Sequence, residues 1–194
     1  MERKLDYVPL EQALHGNQMY VVEAAGVLGI DVRAVLHDVA TDTCFEKAEL
    51  LGWLPTRVVK AVFFHRGGEM HGFVFPELGV WKPTYLDTRV VLPTLLGVSR
   101  SRAKDYRNHI CPEGMEFGTC TPFVFEDSFA ELGGRLSGVF IHEIPGLDAE
   151  TVDISIGGFG DVAHRTSVHL PYSGIHKILE YKFGGERIKR ARLV

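Results

Sequence analysis

Apolar positions along the chain recur in two periods, and the changes of period mark out the elements. Across residues 17–29, Met19, Val22, Ala25 and Leu28 fall three apart, as on one face of a helix, and Gly29 suits its C-terminal stop. Val32-Arg33-Ala34-Val35-Leu36 then reads as a strand entering His37. Thr43 is placed to cap a helix over 44–51, with Glu46 three residues on completing a capping box and Gly52 ending it. Runs 57–64 and 70–75 are β-rich and are separated by Arg66-Gly67-Gly68-Glu69, which predicts a hairpin. A short helix is expected over 88–96, weakened by Pro93. Residues 98–120 mix Arg, Lys, Asn and Gly without a period and predict long loops with at most a turn of helix. Strands are expected again at 122–125, 138–144, 151–156 and 166–170, then a helix over 172–181. Gly184-Gly185 opens a basic tail over 187–192.

Helices and strands mix without strict alternation, and short hairpins imply antiparallel pairing. The expected class is therefore α+β (mixed α/β), a single domain with a mixed, largely antiparallel β-sheet or barrel flanked by helices. No repeat or low-complexity linker interrupts it. The expected division is a peripheral arm at 1–16, one domain over 17–182 and the basic tail at 183–194.

Composition narrows the function classes. A chain of 194 residues with 45% apolar and 24% charged residues can bury one sizeable core and is not disordered. The formal net charge of -4 offers no global attraction for a polyanion, so any nucleic acid must be gripped locally. Three cysteines, Cys44, Cys111 and Cys120, do not make a secreted disulfide framework and point to a reducing compartment. The first residues carry no signal-peptide core, and no run approaches the roughly 18 apolar residues of a spanning helix, so a cytoplasmic protein without a membrane partner is expected. His109, Cys111 and Cys120 lie close in sequence, but C-x-x-C and H-E-x-x-H are both missing, so no metal is expected.

Three features in order carry a resemblance. The first is Ala48-Glu49-Leu50-Leu51-Gly52 followed by Val58-Val59-Lys60-Ala61-Val62, a Leu-Gly helix end before a β-branched strand with one lysine. The second is Gly118-Thr119-Cys120-Thr121-Pro122, a G-x-x-x-P loop leading toward a strand. The third is Gly157-Gly158-Phe159-Gly160-Asp161-Val162-Ala163-His164. Together they resemble the YbaK/prolyl-tRNA synthetase editing-domain family over about residues 17–182. The chain departs from it at Phe123-Val124, where many free-standing members have a glycine, and in a longer 99–117 stretch.

The resemblance implies a YbaK-like fold and a trans-acting aminoacyl-tRNA deacylase, with the aminoacyl-tRNA acceptor end as partner. It implies Lys60, Gly118 and His164 as the catalytic set, and Thr119, Cys120, Thr121, Pro122, Gly157 and Gly158 around the substrate. It also implies that the terminal ribose hydroxyl helps activate water, with no cofactor and no metal. The chemistry is consistent: an activated ester needs an oriented water and donors for the developing oxyanion, not a protein nucleophile.

Each residue also has a plainer reading. Lys60 can face solvent or snorkel. The loop can be an ordinary turn, and His164 a surface histidine. Cys120 reads as a packed thiol, since no histidine can be set beside it. The tail, with Arg100, Arg102, Lys104 and Arg107, can be solvated surface or a phosphate grip. Two rival functions stay open: a non-catalytic nucleotide or nucleic-acid binding module, and a small-ester hydrolase. The amino acid, the tRNA and the oligomeric state are not legible.

Overall fold

Alternating Val, Ile and Phe positions build eight strands in the computed structural model, which describes residues 6–13, 19–77, 91–106, 110–116, 118–124 and 127–192. They are β1 (Asp6–Val8), β2 (Arg33–Leu36), β3 (Val58–Arg66), β4 (Glu69–Pro76), β5 (Arg135–His142), β6 (Thr151–Ser155), β7 (Thr166–Pro171) and β8 (Ile188–Ala191). All join one sheet in the order β1-β2-β7-β6-β3-β4-β5-β8. The α-helices are α1 (Leu10–Ala13), α2 (Tyr20–Leu28), α3 (Cys44–Leu51), α4 (Val91–Leu96), α5 (Arg100–Ala103), α6 (Gly160–Arg165) and α7 (Tyr172–Phe183). The expected mixed fold, a sheet flanked by helices, is what forms.

Its pairing is more mixed than hairpins alone suggest. β3 and β4 make the predicted hairpin around Gly67-Gly68, both at positive φ. β3 pairs β6, β4 pairs β5 and β5 pairs β8, all in parallel. Strands β1 and β8, from the segments read as arm and tail, stand at the two edges of the sheet. Within β8, Arg190 is clamped by both carboxylate oxygens of Asp148 at 2.9 and 2.6 Å. The strand expected at 122–125 does not form over 122–124, where Val124 N–H closes a tight turn onto Pro122 O; residue 125 lies outside the described residues. Residues 88–90 of the expected 88–96 helix lie outside them too. Over the described residues, helix α4 spans Val91–Leu96 and includes Pro93.

Strand alternation divides the side chains between two faces. On one, Val59, Ala61, Phe63, Val152, Ile154, Val168 and Leu170 are buried against Val21 and Ala24 of α2 and Ile175, Ile178 and Leu179 of α7. Burying each of the larger of these side chains contributes roughly 1.5–3 kcal/mol. The intervening positions turn to the other face. There Phe64, Phe73, Phe75 and Phe140 pack under Leu92 of α4, Ala103 of α5 and Tyr106. Further along the same face the intervening positions are Lys60, Asp153, Ser167 and His169. Among the described residues, no helix is long and apolar enough to cross a membrane.

Candidate functional site

A cavity of about 470 Å³ opens over that polar part of the sheet, walled by α3, β3, β6, the loop at Gly118 and α6. Helix α3 is set firmly. Thr43 Oγ1 accepts from Glu46 N–H at 3.1 Å, and Glu46 Oε2 accepts from the N–H groups of Thr43 and Asp42, each at 3.0 Å. Gly52 closes the far end in the left-handed region at φ 67°. The cap turns Cys44 and Lys47, one helical turn apart, onto the cavity.

Lys60, Gly118, Cys120 and His164 all line this cavity. Lys60 stands on β3 with its side chain 27% exposed and forms a close ion pair with the carboxylate of Glu77, itself 5% exposed. Glu77 is held just past β4, where its N–H donates to Val58 O at 2.9 Å. The lone cation read from the sequence therefore has a partner from the neighbouring strand's end.

Gly118 adopts φ 97°, and a methyl group there would sit 3.3 Å from His164 Cε1. The loop and the histidine are thus close neighbours, with no room for a side chain between them. The ring lies between two carboxylates: Nε2 is 3.3 Å from Glu116 Oε1, and Nδ1 is 3.9 Å from Asp42 Oδ1. Glu116 Oε1 also accepts from Gly160 N–H at 2.6 Å. The Thr119 hydroxyl donates to Gly158 O at 2.8 Å, and the Ser155 hydroxyl donates to Thr119 O at 2.8 Å. These bonds stitch the 118–122 loop to the glycine-rich turn. Among the described residues, Gly118 N–H has no hydrogen-bond partner.

The other predicted residues lie behind the wall. Thr119, Thr121 and Pro122 are buried and brace the loop. Gly157 and Gly158 line a second, apolar cavity of about 360 Å³ on the far side of the turn. The Cys120 sulfur is 3.8 Å from Cys111 Sγ and 3.6 Å from Glu116 O. Burial, then the neighbouring Cys111, pushes its thiol well above the ordinary range, away from a thiolate nucleophile. Among the described residues, no group of three potential metal ligands converges.

Sequence reasoning missed the residues beneath the cavity. Asp153 is 2% exposed, and its Oδ1 accepts from the Ser167 hydroxyl and lies 3.1 Å from His169 Nε2. His37 Nε2 bonds Ser167 Oγ at 2.9 Å. Burial acts to raise the Asp153 carboxyl, but the His169 bond, the Lys47 charge and the Ser167 bond outweigh it and hold it below the usual carboxylate value. Burial, helped by Lys47, pushes His37 down to about 4, so it is neutral. Burial likewise lowers Lys47 and pushes Cys44 up to about 12. Asp153 shares with Lys60 one legible feature, a lone charge in an apolar strand, here between Val152 and Ile154.

No protein-family model matches the sequence, and no curated protein matches it. Solved structures do share its fold. A protein described as a candidate trans-editing enzyme for prolyl tRNA synthetase superposes with a TM-score of 0.56 at 16% identity, over 92% of this chain and 97% of that one. The hypothetical protein APE2540 gives 0.56 at 18% identity, over 88% and 97%. A scaffold from computational epitope grafting gives 0.52 at 15% identity, over 92% and 97%. At such identities the likeness establishes the fold.

Proposed function

We propose that this cavity hydrolyses the ester of mischarged aminoacyl-tRNA in trans. The observation that carries the proposal is that Lys60, the Gly118 loop and His164 wall one cavity in a fold shared with a candidate trans-editing enzyme. An activated ester gains most from donors aimed at the oxygen that becomes charged, typically about 3 kcal/mol each. Gly118 N–H, free among the described residues, is the donor for that oxygen. Lys60 binds the terminal phosphate or the carbonyl with a donor that its pair with Glu77 leaves over. Val58, Val62 and Ile110 offer an apolar wall for the aminoacyl side chain, with His164 at its border. The terminal ribose hydroxyl assists the water, so the scheme invokes no cofactor. The volume suits an aminoacyl group with its ribose, and only the acceptor end enters, as the acidic chain requires.

The test is a deacylation panel over all aminoacyl-tRNAs, run beside simple esters. Release from one or a few tRNAs, with simple esters untouched, supports the proposal. Hydrolysis of simple esters alone identifies a small-ester hydrolase. Ligand binding without turnover identifies a binding module.

A further inference from the structure

Among the described residues, three carboxylates line the cavity, and they differ in what already engages them. Asp42 stands at the mouth with its side chain 88% exposed. Glu77 is closed by Lys60. Asp153 is buried, and among the described residues its bonding partners converge on one oxygen: Ser167 and His169 both bond Oδ1, and His37 Nε2 lies 3.8 Å from the same atom. Oδ2 accepts no hydrogen bond from any described residue, and the side chain lines the cavity. Lys47 lines it too and acts on Asp153 through its field, but no ion pair closes between them.

We infer that Asp153 Oδ2 anchors the α-ammonium of the aminoacyl group, making the cavity selective for esters that carry a free amine. The inference rests on the editing proposal for its substrate class, but on an atom that the proposed chemistry does not use. An ionised carboxylate this deep is costly unless its oxygens are engaged. Two fixed donors satisfy Oδ1 and also aim the group, so Oδ2 needs no rearrangement to meet a cation. Asp153 pairs in register with Val58, and Lys60 projects from the same sheet face two residues along β3. The amine and carbonyl of one α-amino ester are separated by a single carbon, so groups on neighbouring strands can hold both. Ser167, His169 and His37 are then positioning residues, acting through Asp153.

The experiment compares aminoacyl-tRNA with its N-acetyl form, in hydrolysis by the full chain. In parallel, titration calorimetry compares a non-hydrolysable 3′-aminoacylamino-3′-deoxyadenosine with its N-acetyl form. The intact protein should prefer the free amine at least thirtyfold in both. Asp153→Asn keeps an acceptor for Ser167 and His169 while removing the charge, and should reduce that preference to threefold or less, mainly through KM. Glu77→Gln should leave the preference unchanged. An intact protein that treats free and blocked amines alike overturns the inference, whether or not the variant folds. An Asp153→Asn protein that weakens both forms equally overturns it too, and so does failure to bind either analogue. Amine-selective binding without hydrolysis of any aminoacyl-tRNA supports the anchor and removes the editing proposal instead.

Discussion

Two halves of one sheet face meet different fates. In the aromatic half, Phe73 and Phe140 stack 5.3 Å apart, Phe64 meets Phe73 edge-on at 5.2 Å, and α4, α5 and Tyr106 close the lid. In the polar half, Lys60, Asp153, Ser167 and His169 occupy equivalent face positions, and the covering helix α3 leaves a cavity. Strand geometry is common to both, so the side chains make the difference. Rings interdigitate and exclude water. Charged groups must keep partners, and a helix cannot settle onto them without stranding a charge. One half therefore supplies cohesion and the other supplies a site.

The sharpest way to break this contrast is to unpack the aromatic half. Phe73→Ala should lower stability by about 3–5 kcal/mol in urea denaturation, while activity per folded molecule stays unchanged. A loss below about 1 kcal/mol would show that the aromatic half is not a core.

Next, Gly118→Ala should reduce deacylation about a hundredfold, or about 2.7 kcal/mol, with only a modest fall in melting temperature. The reasons are its φ of 97° and the 3.3 Å approach to His164 Cε1. A variant with full turnover would remove the loop from the site.

Each half also holds a histidine, His37 buried in the polar half and His71 half-buried against Tyr106 and Phe140, and loss of water around the ring pushes each down to about 4. Their folded values lie below the ordinary 6.5, so the unfolded chain takes up protons first as pH falls. Stability should be complete above about pH 6.5 and decline toward pH 4, by about 2 kcal/mol for a histidine as enclosed as His37. Urea midpoints at pH 7, 5.5 and 4.5 should show the decline, and His37→Gln should flatten it. An unchanged slope in that variant would mean that the polar half does not govern acid sensitivity.

Smaller still, Lys60→Ala should cut kcat/KM about tenfold, or about 1.4 kcal/mol, without unfolding the protein. It leaves Glu77 without its lysine, so Glu77→Gln is the matched control. The least effect is expected of His164→Ala: a few-fold change in rate, seen mainly as a shift in which aminoacyl groups the panel releases. An equal loss on every substrate would place His164 in the chemistry rather than at the border of the pocket.

Short-range physics was legible in the order of residues. The Thr43 cap with Glu46, the stops at Gly29 and Gly52, and the hairpin at Gly67-Gly68 each depend on groups within a few positions, so propensity and periodicity predict them. Lys60 and His164 were nameable through short motifs that carry the family resemblance, and of the two only Lys60, a lone charge in an apolar run, also stood out by itself. What sequence alone could not determine is adjacency. The parallel join of β3 to β6 sets Val58 beside Asp153, and the antiparallel join of β6 to β7 sets Asp153 opposite His169. No local rule selects those neighbours; burial of the apolar face against α2 and α7 does. Once that face is buried, alternation turns Asp153, Ser167 and His169 to the opposite side, and Glu77 reaches Lys60 from the end of β4. The polar chemistry of the cavity is thus a consequence of packing on the other side of the sheet, and only the tertiary structure could decide it.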